Sequence, residues 1–494
     1  MSPDQPSPTD APAFQDMDSE SFRQYGHEII DWIAAYLDNP EQYPVLAQVW
    51  PGEVKAGLPS RHPDDPAPMS RILEDFEQVI LPGITHWNHP SFFAYFSITA
   101  SAPGILGELL AAALNVNGML WKTAPAATEL EELSLDWLRQ MLGLPDELHG
   151  IIMDTASMAS LVAIAAAREA LDLDIRRKGM AGRADLPRLR LYTSEQAHSS
   201  IEKGAIALGI GQENVRKIPA DDDFRMILKA LQEAIKEDIA AGFRPFFVAA
   251  TVGTTSTTSI DPVPAIADIC RQHSLWLHVD GAYGGMAALL PEMRCVLDGC
   301  QHADSIVVNP HKWLFTPIDC SAFYVRDPSI LKRAFSLVPE YLKTSEEDVT
   351  NYMDWGVQLG RRFRALKLWM VIRYFGHEGL AARIRYHLEL ARQFCAWVDS
   401  SPVFERLAPT PFSTICFRAH PQGIDDEVVL DRLNAEIMEA ANTSGKIYIS
   451  HTRLKGKFAL RLAIGNLRTT EKHVADAWQL LQEQAMDLAG SITS

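Results

Sequence analysis

The sequence predicts an α/β fold, with a large, mainly parallel sheet covered by helices on both faces, an N-terminal helical segment and a smaller α+β C-terminal domain. Short apolar runs at Leu189–Tyr192, Phe246–Thr251, Leu275–Val279, Ser305–Val308 and Ala322–Val325 read as buried strands. Helical patterns at Met158–Leu171, Ser199–Leu208, Phe224–Ala241 and Pro264–His273 lie among them. Such alternation points to a parallel sheet, because each parallel crossover needs a helix to bring the chain back. A length of 494 residues, 47% of them hydrophobic, supplies a large core and room for two or three structural units.

In chain order, residues 1–16 are polar, acidic and Pro-rich, and they lack the basic and apolar blocks of a secretion signal. They are expected to form a disordered tail. From Asp18 to Leu37, the residues Phe22, Tyr25, Ile29, Ile33 and Tyr36 recur at three- and four-residue steps. That is an amphipathic helix, capped by Asp18 or Ser19 and ended by Asn39-Pro40. A Pro-rich stretch runs from Pro44 to Pro68, and a second helix follows from about Ser70 to Leu81. This N-terminal segment, taken as residues 17–102, is too small to bury both faces of its helices and is expected to pack on a second subunit. The strand–helix region is taken as 103–366 and the smaller domain as 367–494. Helices resume from Arg361 to about Asp399, then strands at Thr414–Phe417 and Phe458–Ile464 alternate with helices at Glu427–Ala441 and Thr470–Met486.

Lys and Arg total 45 against 63 Asp and Glu, a formal charge of −18. An acidic surface argues against nucleic acid and anionic membranes as partners, since both are polyanions. No apolar run reaches the ~20 residues of a membrane span; the candidate from Ile105 to Leu114 is broken by Glu108. Cys270, Cys295, Cys300, Cys320, Cys395 and Cys416 show no metal or disulfide spacing and read as reduced thiols of a cytoplasmic protein. His86 and His89 lack the spacing and the glutamate of a helical zinc site, and Pro90 follows directly, so no metal is expected.

The chemistry concentrates in four places. Lys312 follows a buried strand in Asn309-Pro310-His311-Lys312-Trp313. Desolvation there lowers an amine's pKa in the direction needed to form a Schiff base with an aldehyde cofactor, although a lone lysine is more often a solvated side chain. About 30 residues upstream, the strand Leu277-His278-Val279 ends in Asp280, at the edge where α/β sheets bind ligands. A buried carboxylate needs a cation, and a pyridinium nitrogen is one; a strand-end capping Asp is the plainer alternative. Gly150 to Ser157 runs from a strand into a small-residue helix whose N-terminus suits a phosphate, and also suits an ordinary helix cap. His198, in Gln196-Ala197-His198-Ser199-Ser200, opens another helix and is placed to lie flat on a cofactor ring.

With these pieces in this order, the chain resembles the group II pyridoxal-phosphate-dependent decarboxylases, specifically the aromatic-L-amino-acid decarboxylase family. The likeness extends from about Phe22 to Trp478. It is carried by His89–Phe96, Ala124–Glu131, Gln196–Ser200, the strand into Gly253-Thr254-Thr255, His278–Gly285, Asn309–Trp313 and Leu359–Arg364. The resemblance implies fold-type I, with a large seven-stranded domain that binds pyridoxal 5′-phosphate, and a homodimer with active sites at the interface. By the same resemblance Lys312 forms the Schiff base, Asp280 pairs with the pyridine nitrogen and His198 stacks on the ring. Ala156, Ser157 and Asn309 match phosphate-anchoring positions. Thr254, Ala282 and His311 match residues around the cofactor.

The resemblance also bears on reaction and substrate. Tyr341, in Val338–Thr344, matches a loop tyrosine that in relatives protonates the substrate carbon after carbon dioxide leaves. Relatives with phenylalanine there tend to make an aldehyde, so ordinary decarboxylation is expected here. Trp87, Tyr95, Phe96 and Thr99 are expected to receive an aromatic ring, with Met119 and Gly360 at positions near it. Glycine at the position of Gly360 leans towards a larger ring. Three departures touch this pocket: Ser97–Ser101 runs one residue longer than the family pattern, Met119 replaces a phenylalanine, and the phosphate loop reads Thr155-Ala156-Ser157-Met158-Ala159. Tryptophan, tyrosine, phenylalanine and dihydroxyphenylalanine all stay open as substrates. The rival readings are a decarboxylase of another amino acid such as glutamate, with Arg453, Lys455 and Lys457 as cations for its distal carboxylate, an aldehyde synthase, and a non-catalytic binding homologue.

Overall fold

The computed structural model describes residues 16–337 and 349–493. The chain divides into two compact units, Met1–His86 and Trp87–Ser494. In the first, Asp18 caps the helix Ser19–Asp38 by accepting from the N–H groups of Glu20 and Ser21. No residue of that helix is buried. Trp32 meets Phe76 edge-on, with ring centroids 5.1 Å apart. The second helix departs from its expected span: an α-helix at Met69–Asp75 widens into a π-turn over Phe76–Ile80 and closes with Leu81–Gly83. Pro82 explains this, since its ring clashes with the carbonyl four residues back and it has no N–H to continue the ladder.

The second unit is built on seven strands: β1 (His149–Met153), β2 (Arg188–Ser194), β3 (Val215–Ile218), β4 (Phe243–Thr251), β5 (Trp276–Asp280), β6 (Ser305–Val308) and β7 (Ser321–Val325). Their order across the sheet is β1-β7-β6-β5-β4-β2-β3, and only β7 runs antiparallel to its neighbours. One face packs Leu191, Phe247, Val307 and Phe323 against Ala159, Ala163 and Ala166 of the helix Ala156–Glu169. The other packs Val248, Leu277, Val279 and Ile306 against Leu135 and Leu138 of the helix Pro125–Leu142 and Leu368 and Ile384 of Ala365–Ser400. With both faces covered, the carboxyl edge of the sheet is where polar side chains gather.

Two of the stretches that carry the family resemblance meet in a buried ion pair. Arg361 Nη2 donates to Glu131 Oε1 at 2.6 Å and to the Ile152 carbonyl at 2.9 Å, while Glu131 accepts from the Ile152 N–H at 2.8 Å. These bonds lock the helix Pro125–Leu142 and the Arg361 segment to β1. They also correct one expected boundary, because residues 361–364 are not helical and Ala365 starts the helix. Arg361, Arg362 and Arg364 instead reach Glu131, Glu108 and Asp319.

A four-stranded antiparallel sheet, β8 (Phe404–Arg406), β9 (Thr414–Ala419), β10 (Ser450–Leu454) and β11 (Lys457–Ala463), follows in the order β10-β11-β9-β8. Its core joins Phe417, Leu460 and Leu462 to Phe394 and Trp478. The segment around Arg453, Lys455 and Lys457, legible as a solvated loop, is the β10–β11 hairpin. Arg453 pairs with Asp431 at 2.7 Å, Lys455 with Asp222, and Lys457 with Glu427 at 3.6 Å. No helix among the described residues is long and apolar enough to cross a membrane. The six cysteines form no disulfide.

Candidate active site

The carboxyl edge of the large sheet and the β10–β11 hairpin enclose a cavity of about 400 Å³. Lys312, Asp280, His198, Ala282, Asn309 and His311 line it, as do Ala156 and Ser157 at the start of their helix. Trp87, Tyr95, Phe96 and Ile98 form an aromatic and apolar side. Each polar group arrives from a strand end: Asp280 closes β5, Asn309 follows β6, and the Ala156 helix and His198 follow β1 and β2.

The electrostatics are set by burial. Desolvation lowers the pKa of the Lys312 amine; the Asp280 carboxylate opposes that shift and Arg461 adds to it. Lys312 Nζ lies 5.0 Å from the centre of the Phe96 ring. Asp280 is 6% exposed, accepts from the Ala282 N–H at 3.0 Å, and has no ion-pair partner among the described residues. His198 faces the cavity with its Nδ1 accepting from the Ser200 N–H at 3.2 Å, which leaves its proton on Nε2 when neutral. Desolvation lowers its pKa. His311 accepts from the Cys320 N–H at 3.0 Å and is kept neutral by burial, its pKa lowered to about 3.

Arg461, on β11, was missed by the sequence reading and changes the character of the site. It is fully buried, donates from Nε to the Ser256 carbonyl at 3.0 Å and from Nη1 to the Tyr95 carbonyl, and its guanidinium carbon lies 4.6 Å over the Phe96 ring. Nη2 is buried without a partner, and among the described residues no carboxylate neutralises the charge. The signal was present: Arg461 is the one charged residue inside the otherwise apolar run Phe458–Ile464. Tyr283 was also passed over. It stacks on Phe96 at 4.0 Å and on Trp313 at 4.6 Å, and so supports the aromatic side from behind.

Some expected residues stand elsewhere. Thr254 is fully buried with its hydroxyl 3.1 Å from that of Thr257, and Gly253 and Thr255 line the cavity in its place. Thr99 is buried, with a hydroxyl that has no partner, and does not line the cavity. Met119 and Gly360 lie outside the lining, on neighbouring segments held together by the Gly118 N–H on the Arg361 carbonyl at 2.8 Å. Tyr341 lies outside the described residues.

The donor set fits pyridoxal 5′-phosphate. A buried amine suits its aldehyde, a buried carboxylate with no ion-pair partner among the described residues suits its ring nitrogen, and the helix start at Ala156 and Ser157, whose N-cap makes no side-chain hydrogen bond, suits its phosphate. Asn309 Oδ1 is also buried without a partner among the described residues.

Comparison with known proteins agrees. Residues 51–420 match the family described as the pyridoxal-dependent decarboxylase conserved domain. The chain is 44% identical over 480 residues to phenylacetaldehyde synthase of Arabidopsis thaliana, covering 95% of this chain and 96% of that protein. It is 45% identical over 484 residues to tyrosine decarboxylase 2 of the same plant, covering 95% and 88%. The crystal structure of Oryza sativa TDC with PLP and tryptamine superposes with a TM-score of 0.92 at 40% identity, covering 96% of this chain and 99% of that one. On this evidence of sequence, fold and donor set, the chain belongs to the group II pyridoxal-phosphate-dependent decarboxylases, in the aromatic-L-amino-acid decarboxylase family.

Proposed function

We propose that this protein decarboxylates an aromatic L-amino acid to its amine and carbon dioxide. The observation that carries the reading is one cavity enclosing a buried amine and, beside an aromatic wall, a carboxylate and a guanidinium that have no ion-pair partner among the described residues. Bound pyridoxal 5′-phosphate supplies an electron sink for the bond to the departing carboxylate. Lys312 would hold the cofactor through its aldehyde, and its lowered pKa keeps more of the amine in the nucleophilic form. Asp280 holds a proton on the ring nitrogen, and His198 covers the ring face. Ala156, Ser157 and Asn309 hold the phosphate, while Thr254, Ala282 and His311 shape the surrounding shell. Arg461 receives the substrate carboxylate. Trp87, Tyr95 and Phe96 receive the side-chain ring through area burial and stacking.

The working unit in this reading is a cytoplasmic homodimer with the cavity at the interface. Its segments are 17–102 for dimerisation, 103–366 for the cofactor and 367–494 for the small domain. Two observations support the dimer. The helix Ser19–Asp38 buries none of its residues, and the helix Ala102–Leu114 leaves Leu106, Leu109, Leu110 and Leu114 substantially exposed. Met119 and Gly360, away from their own cavity, are then available to the partner's substrate ring.

A panel of L-amino acids, with carbon dioxide, amine, aldehyde and peroxide followed together, tests the reaction. Amine and carbon dioxide from aromatic substrates are expected; turnover of glutamate alone would overturn the assignment. One relative, the phenylacetaldehyde synthase of Arabidopsis thaliana, keeps an aldehyde-forming reading in view. Tyr341 in the sequence favours the amine. The Tyr341→Phe variant is expected to lose amine and gain aldehyde and peroxide, and an unchanged product ratio would remove Tyr341 from the mechanism.

A further inference from the structure

β5 sends Trp276, His278 and Asp280 to one face of the sheet, since alternate residues of a strand share a face. All three are buried, and His278 has no exposure at all. Its ring lies near those of Phe247 and Phe323, at centroid distances of 6.0 and 6.2 Å, where a phenylalanine would pack with no polar group to satisfy. His278 Nδ1 is 2.9 Å from the Ser305 hydroxyl, which also accepts from Trp276 Nε1 at 2.9 Å.

These bonds fix a tautomer. Ser305 has one hydroxyl proton, and with Trp276 donating to its oxygen that proton is free for His278 Nδ1. The reverse assignment strands the hydroxyl proton as well as the second ring nitrogen. Burial lowers the His278 pKa to about 4, so the ring is neutral and carries its single proton on Nε2. That N–H is buried with no partner among the described residues. The next acceptor along the same face is the Asp280 carboxylate, two residues further up the strand, whose charge acts on the His278 ring.

We propose that His278 is a positioning residue for Asp280: its buried Nε2–H, fixed by Trp276 and Ser305 on the same face of β5, stabilises the neighbouring Asp280 carboxylate in the ionised form that meets the cofactor's ring nitrogen. This rests on the pairing of Asp280 with that nitrogen given under the proposed function. The test titrates apoenzyme with pyridoxal 5′-phosphate, read by the visible absorption band, and melts the same apoenzymes. His278→Phe keeps the ring packing, so cofactor affinity is expected to fall about tenfold or more while the apoenzyme melting temperature holds or rises. His278→Gln restores an N–H and is expected to recover most of the affinity. In an Asp280→Asn background, His278→Phe is expected to add no further loss. Unchanged affinity in His278→Phe, a matching fall in apoenzyme stability, or an equal loss in the Asp280→Asn background overturns the proposal. Full affinity in Asp280→Asn alone would instead sink the Asp280 pairing, and the role of His278 with it.

Discussion

The cavity has two walls of different origin. One is the carboxyl edge of the large sheet, where Asp280, Asn309 and Lys312 each follow a buried strand. The other is the β10–β11 hairpin, which brings Ser450, His451, Thr452 and Arg461. The first wall carries groups suited to a cofactor that never leaves, and strand ends anchored in a large core hold them still. The second carries a cation suited to a substrate that comes and goes. They meet at Ser256, whose carbonyl accepts from Arg461 Nε at 3.0 Å and whose hydroxyl lies 2.8 Å from that of Thr452. In this arrangement the wall that holds the cofactor and the wall that selects the substrate can be broken separately.

The largest effect is expected on the sheet wall. Lys312→Ala removes the one amine that lines the cavity among the described residues, and turnover is expected to fall by at least about 10⁴-fold, with loss of the visible band. A variant retaining most of its turnover would mean another nucleophile does the work. On the hairpin wall, Arg461→Met deletes the charge proposed to meet the substrate carboxylate, with an expected cost of about 2–5 kcal/mol of binding. The product amine has no carboxylate, so its inhibition constant is expected to stay near that of the parent enzyme. Equal weakening of substrate and amine would show that Arg461 only supports the wall.

Within the sheet wall, Asp261 ties the end of β4 to the segment after β3, accepting from the N–H groups of Thr251 and Met226, both at 2.8 Å. Burial outweighs those bonds and raises its pKa from 3.8 to about 6. Between these values the unfolded chain has released the proton that the folded chain still holds. Stability from this group is therefore full below pH 3.8 and is lost as pH rises through about 6. The slope is about 1.4 kcal/mol per pH unit in that window. Asp261→Asn is expected to remove this component, measured as the difference in urea unfolding free energy between variant and parent from pH 4 to 7. Parallel profiles would show that Asp261 titrates normally in the fold.

The same contrast explains what could be read from the sequence. Ser305–Val308 appears as expected because four consecutive buried residues leave no other reading. Lys312, Asp280 and His198 were legible because each ends or follows such a run. Only half of the hairpin wall was: Phe458–Ile464 reads as a strand, whereas Ser450–Leu454 alternates half-buried and exposed residues, ends in one buried leucine and has no apolar run to announce it. β3 escaped for a similar reason: Val215-Arg216-Lys217-Ile218 is a four-residue edge strand with two cations in its middle. Its neighbour β2, buried on both faces, was found. Long-range pairing, such as Arg361 with Glu131 across 230 residues of sequence, leaves no local trace.

The smallest effect tests whether the two walls are also joined beneath the cavity floor. Tyr283 follows β5 and donates its hydroxyl to Ser413 Oγ at 2.7 Å, while Ser413 passes its own proton to the Ile464 carbonyl at 2.6 Å. Removing the tyrosine oxygen leaves Ser413 with its donor still satisfied, so no buried proton is stranded. Tyr283→Phe is therefore expected to cost only about 0.5–1.5 kcal/mol, read as a small drop in melting temperature. The rings of Phe96 and Trp313 keep their stacking partner, so KM for the aromatic substrate is expected to hold. A rise in KM without a loss of stability would place the Tyr283 hydroxyl in the positioning of Phe96, and would tie the substrate wall to β5 more tightly than the two-wall description allows.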